Sequence, residues 1–147
     1  MATPAEQLRP GEWNSLEPYA QLVRSLLPRA SSIAVFDANA NPRWSNDTAT
    51  WPELVQAVEQ SARDAAGDSA SAGQLRVLEG DMPLYLCWLR DDDSRALLAV
   101  VAIQCRASGD AEPRSFSFVH ALIRPALECL RRELVARHSI DLLAENL

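Results

Sequence analysis

The chain has 147 residues, enough for one domain with a sizeable core and too few for two. A formal charge of −6 speaks against a nucleic-acid-binding surface, which needs a basic patch, and against attraction to an anionic membrane. No run reaches the roughly 18 apolar residues that span a bilayer, and the N-terminus lacks a basic-then-apolar leader pattern, so a cytoplasmic protein with no nucleic-acid or membrane partner is expected.

Residues 1–14 are polar, carry Pro4, Pro10 and Gly11 and keep no period, which predicts a flexible arm from which Trp13 alone docks on the core. From Ser15 to Pro28, the positions Leu16, Tyr19, Leu22 or Val23, Leu26 and Leu27 fall at helical spacing. Ser15 is the expected N-cap and Pro18 lies in the first turn. Ser32 to Phe36 and Arg43 to Ser45 read as two short strands, joined by a turn rich in Asp, Asn and Pro at Asp37 to Pro42. A second helix follows, with Asp47 or Thr50 as its cap, Pro52 in its first turn and Leu54, Val55, Val58 and Ala62 facing inward. Gly67 stops it, and the small residues Asp68 to Gly73 form a loop.

The stretch from Leu75 to Cys105 predicts a three-strand meander. In MPLYLCWLR, Leu84, Leu86 and Trp88 share one face of a period-two strand, and Tyr85, Cys87 and Leu89 share the other. In RALLAVVAIQC, Leu97, Ala99, Val101, Ile103 and Cys105 alternate with Leu98, Val100 and Ala102. Both faces are apolar, so both must be covered, and the flanking helices have to supply two covers. The polar link Asp91 to Ser94 has the length of a hairpin connection, and Gly80 to Pro83 makes the preceding turn.

The last element begins at Ser115 and meets no stop signal up to Leu147. Phe116, Val119, Ile123, Leu127, Leu130 and Leu134 step by three or four, an apolar seam close to heptad spacing. Pro125 is expected to bend or loosen the helix near Ala121. Arg137 interrupts the seam before Ile140, Leu143 and Leu147 resume it. About thirty helical residues extend roughly 45 Å, more than a domain this small can bury, so the seam predicts a homodimer.

Catalytic signatures are missing: the chain has no GxSxG, HExxH, P-loop or dinucleotide-binding glycine pattern. The histidines, His120 and His138, lie five helical turns apart and cannot meet in one chain. The cysteines Cys87, Cys105 and Cys129 are odd in number and lack CxxC spacing, which predicts core thiols. No metal and no cofactor is expected. Phe36, Trp44, Trp51, Tyr85 and Trp88 either line a small-molecule pocket between the sheet and the second helix or fill the core. With a pocket, Arg43, Arg76 and Arg90 are the candidates to hold a ligand anion; without one, they are surface charges.

The order helix, two strands, helix, three strands, long helix resembles the PAS/GAF superfamily of bacterial sensory domains. So does IAVFDANANPRWSN, with its apolar strand Ile33 to Phe36, Asp37, polar turn Asn39 to Pro42 and strand Trp44 to Asn46. The tail LIRPALECLRREL is similar to the signalling helix behind GAF-like input domains of cyclic-di-GMP proteins that carry GGDEF or EAL modules. The turn has Ala40 and Asn41 where PAS domains have glycine, and PAS and GAF both stay open. The resemblance implies an α+β fold with an antiparallel five-stranded sheet in the chain order α-β-β-α-β-β-β-α. A sensory core would span 15–112, and an amphipathic signalling and dimerisation helix 113–147. It also implies a non-catalytic sensor that binds a small ligand or partner, passes the signal through its last helix, and is attached to a GGDEF/EAL output domain in a longer protein. The alternative is a ligand-free dimerisation or scaffolding module of the same fold. A small enzyme is the third reading, although no nucleophile and base can be paired.

Overall fold

A computed structural model describes residues 16–46, 52–68, 70–78, 82–106 and 112–145, with side chains of the last helix described to Arg137 and again at Leu143. The expected N-terminal arm with Trp13, the caps Ser15, Asp47 and Thr50, Trp51, the turn at Gly80 and Asp81, Leu147, and the side chains of His138 and Ile140 lie outside what is described.

The doubly apolar strands pair as their pattern requires. β4 (Met82–Arg90) and β5 (Leu97–Cys105) run antiparallel, with Leu84 opposite Gln104 and Leu89 opposite Ala99. Tyr85, Cys87 and Leu89 join Ala99, Val101 and Ile103 on one face, while Leu84, Leu86 and Trp88 join Val100 and Ala102 on the other. The register slips between Leu89 and Arg90, where Arg90 pairs with Leu97 and Leu98 becomes the extra residue of a bulge. Leu97 therefore packs with the Trp88 face, opposite to Ala99 and against the strict alternation expected of it.

Three further strands complete the sheet. β1 (Ala30–Asp37) pairs with β5, β2 (Pro42–Ser45) with β1, and β3 (Gly73–Leu78) with β4. All neighbours are antiparallel, in the order β2-β1-β5-β4-β3, so the first strand lies beside the last. The α+β class with a five-stranded antiparallel sheet is the one that the sequence predicts.

Helices cover both faces. α1 (Glu17–Leu26) and α3 (Phe116–Glu145) lie on the face of Ile33, Val35, Tyr85 and Cys87, to which they contribute Ala20, Val23, Val119 and Ile123. α2 (Pro52–Gly67) covers the opposite face, with Leu54, Ala57 and Val58 against Phe36, Leu86 and Val100. α1 begins at Glu17, with Leu16 in the cap position and no side-chain cap. α3 has a capping hydroxyl, since the Phe118 N–H donates to Ser115 Oγ at 3.2 Å. The helix continues unbroken through Pro125, which sits on the exposed side where a missing N–H is least costly.

The seam of α3 is spent inside the chain. Val119, Ile123, Leu127, Leu130 and Leu134 are all buried in the core, and Phe116 packs against it. Phe116, Val119, Ile123, Leu127, Leu130 and Leu134, expected to meet a second chain, thus pack on this chain's own sheet. The helix packs on the sheet and beside α1, so one protomer covers far more of the stripe than its size suggested. The apolar residues of α3 that stay exposed are others, Phe118, Leu122 and Leu143. Cys129 is corrected too, because it is exposed while Cys87 and Cys105 are buried.

Candidate functional site

Strand parity separates the aromatic residues expected to share a pocket. Phe36 and Trp88 face α2, whereas Trp44 and Tyr85 face α1 and α3. Trp88 Nε1 donates to Ser61 Oγ at 2.8 Å, and the Tyr85 hydroxyl donates to the Arg114 carbonyl at 2.6 Å. Phe36 is wholly buried. Sequence alone does not bring these side chains together, because aromatic character takes no account of which side of a sheet a position faces.

The arginines also part company. Arg43 is the bulged residue of β2, and its Nε and Nη2 each lie 2.9 Å from Asp37 Oδ2. The same Asp37 accepts from the Asn39 and Asn41 N–H groups through Oδ1 at 2.9 and 3.0 Å, which fixes a turn whose left-handed position is taken by Ala40 at φ 64°. Arg76 on β3 pairs with Asp64 of α2 at 3.1 Å and donates to Gln74 Oε1 at 3.0 Å. Arg43 and Arg76 are therefore structural ion pairs on opposite edges of the sheet.

Arg90 is different. It is 9% exposed, lies over the Trp88 ring at 5.7 Å, and donates to the carbonyl oxygens of Ala65 at 2.8 Å, Arg95 at 3.3 Å and Asp68. Together with Trp88 and Leu89 it lines a cavity of about 240 Å³. The loop Ala70 to Ala72 forms a second wall, and the β4–β5 connection supplies Asp92 and Arg95. The third wall is α3, where His120, Arg124, Leu127, Glu128 and Arg131 recur at helical spacing along one face. Among the expected ligand residues only Trp88 and Arg90 reach this cavity. Sequence reasoning missed His120, Arg124 and Arg131 as a group, although their spacing of four and seven residues is legible in the chain.

Charge on the cavity wall is uneven: four guanidiniums stand against two carboxylates in a protein whose net charge is −6. Arg131 reaches Asp92 at 3.1 Å and also binds Glu128. The Arg131 hydrogen bond holds the Glu128 carboxyl below its ordinary range, with the Arg131, Arg132 and Arg124 charges adding to it. Burial lowers the His120 pKa, the Arg124 charge lowers it further, and the imidazole stacks on Phe116 at 5.4 Å between centroids. No group of three or more His, Cys, Asp or Glu residues able to hold a metal ion occurs among the described residues.

Solved structures share this fold. A MglB in a tetrameric arrangement matches at 15% identity and a TM-score of 0.56, covering 88% of this chain and 95% of its own. The gliding protein MglB of Thermus thermophilus matches at 18% identity and 0.53, covering 88% and 96%. MglB of Myxococcus xanthus matches at 14% and 0.52, covering 90% and 93%. The fold is that of the MglB structures. No family model and no curated protein matches the sequence.

These matches overturn the PAS/GAF resemblance and with it the cyclic-di-GMP sensor, and they lend no support to a GGDEF/EAL output domain. Element order and a polar turn behind an apolar strand are general properties of antiparallel α+β folds and carry no family information by themselves. One of the matched structures is a tetramer, so self-association is a property of a protein with this fold. No described helix is long and apolar enough to cross a membrane.

Proposed function

We propose that this chain is a MglB-like regulatory module that works in the cytoplasm by assembling with a second copy of itself and engaging a partner protein, with no substrate turnover of its own. The observation that carries the reading is the match of nearly the whole chain to nearly the whole of a MglB that stands in a tetrameric arrangement. A small GTPase is the partner class to try first, with this chain as its regulator.

The edges of the sheet support the assembly. β3 ends the sheet, keeps an unbroken register with β4 over six residues, and leaves Val77 54% exposed. A regular edge without proline or bulge is a template for another strand. The opposite edge is blunted: β2 has four residues, starts at Pro42 and bulges at Arg43. Two copies of β3, paired antiparallel about a two-fold axis, would continue one sheet through both protomers.

Sedimentation velocity on the wild type and on Val77→Lys tests this. The wild type is expected to sediment as a dimer or larger, and the variant as a folded monomer with an unchanged far-UV spectrum. A wild type that stays monomeric at every concentration would sink the reading. Titration of the dimer into candidate GTPases, followed by the rate of GTP hydrolysis, then tests the partner class.

A further inference from the structure

A guanidinium taken out of water is ordinarily matched by a carboxylate. Arg90 has no ion pair among the described residues, and its hydrogen-bond partners are backbone carbonyls. Those dipoles satisfy N–H groups, and the buried Nε–H has no acceptor among the described residues. The Asp68 carboxylate, close enough for the Arg90 charge to lower its pKa, is already engaged by the Ala70 and Ser71 N–H groups at 3.0 and 3.1 Å.

Across the cavity, α3 presents Arg124 one turn beyond His120, and its charge reaches the Glu128 carboxylate without an ion-pair contact. Both acids on the wall, Asp92 and Glu128, are taken by Arg131. What remains is a cavity whose wall carries more guanidinium than carboxylate in an otherwise acidic protein. Its volume of about 240 Å³ falls below the roughly 300–1,000 Å³ of pockets for drug-sized ligands and suits a compact anion.

We propose that this cavity binds a phosphate group, as the free anion or on a small ester, with Arg90 and Arg124 supplying charge and donors from opposite walls. Charge-assisted N–H···O bonds to guanidinium forks suit a tetrahedral oxyanion, and the ligand would add negative charge to a wall on which four guanidiniums stand against two carboxylates. The site is independent of the β3 edge, and its failure would leave the assembly reading untouched.

Isothermal titration of the full chain with inorganic phosphate, and separately with glycerol phosphate, at constant ionic strength set by chloride, tests the site and distinguishes the two sources. Saturable one-to-one binding of either probe is expected. Arg124→Gln, at an exposed helical position, is expected to weaken it at least about tenfold, and Arg95→Gln serves as a second variant if the first melts early. Arg24→Gln, on α1 and away from the cavity, is the control and should bind as the wild type does. Absence of saturable binding, binding unchanged by both cavity variants, or equal weakening by Arg24→Gln would each overturn the proposal.

Discussion

Trp88 and Ser61 are joined by a buried hydrogen bond, Nε1 to Oγ at 2.8 Å, that ties β4 to α2. Ser61 is wholly buried, an unusual place for a helical serine, and the indole N–H has nowhere else to go. Ser61→Ala is expected to cost about 1–3 kcal/mol, the penalty of leaving a buried donor without an acceptor. Urea unfolding measures it. A loss below half a kilocalorie would mean that water reaches the indole.

Ile123 and Leu122 are neighbours in sequence on opposite sides of α3, the first fully buried and the second 40% exposed. If the seam belongs to the protomer's own core, Ile123→Ala costs about 2–5 kcal/mol at any protein concentration. Leu122→Ala should change stability by about half a kilocalorie or less. Thermal melts at several protein concentrations separate this from a seam between chains, for which the loss at Ile123 would depend on concentration.

Gly73 opens β3 at φ 152°, in a region that side chains avoid, and a Cβ there would stand 2.1 Å from the Leu86 carbonyl oxygen and 2.6 Å from the Phe116 ring. The ring could rotate, but the carbonyl belongs to the sheet. Gly73→Ala is expected to destabilise by about 2 kcal/mol or more, from backbone strain and overpacking together. The change should also loosen the β3 amides in hydrogen exchange before those of β4. Protection unchanged along β3 would count against this geometry.

The thiols divide into two classes. Burial pushes Cys87 up to about 12 and Cys105 up to about 11, each from 9.0, whereas Cys129 lies exposed on α3. A thiol-specific reagent should therefore label Cys129 rapidly in the native protein, and Cys87 and Cys105 only on unfolding. Because the folded state holds the two buried protons more tightly, their contribution is fully present below about pH 9. It is lost as pH rises towards 11 and 12, where the unfolded chain ionises first. The melting temperature should fall across that interval, less steeply in Cys87→Ala once its own lower baseline is subtracted.

His120 gives the opposite dependence. Burial and the Arg124 charge lower its pKa, so protonation favours the unfolded chain, and stability is expected to decline as pH falls below about 6.5. His120→Gln should flatten the acid side of the profile. The carboxylates Asp64, Asp68 and Glu128, whose pKa values are lowered by their hydrogen bonds, add a further decline at lower pH. An acid limb with no change between pH 7 and 5 would exclude the histidine.

The order of elements and the existence of two cores were legible in the chain, because period-two alternation and helical spacing are local. Leu84, Leu86 and Trp88 had to part from Tyr85, Cys87 and Leu89 whatever the fold. Three matters depended on tertiary structure. β1 inserts beside β5, a pairing across more than sixty residues that no local pattern encodes. The seam of α3 closes on its own sheet, since a stripe of apolar residues records that it will be covered but not by which chain. And the cavity gathers Arg90 from a strand with His120 and Arg124 from a helix, a convergence of distant side chains that exists only once the sheet has put α3 across the end of β4.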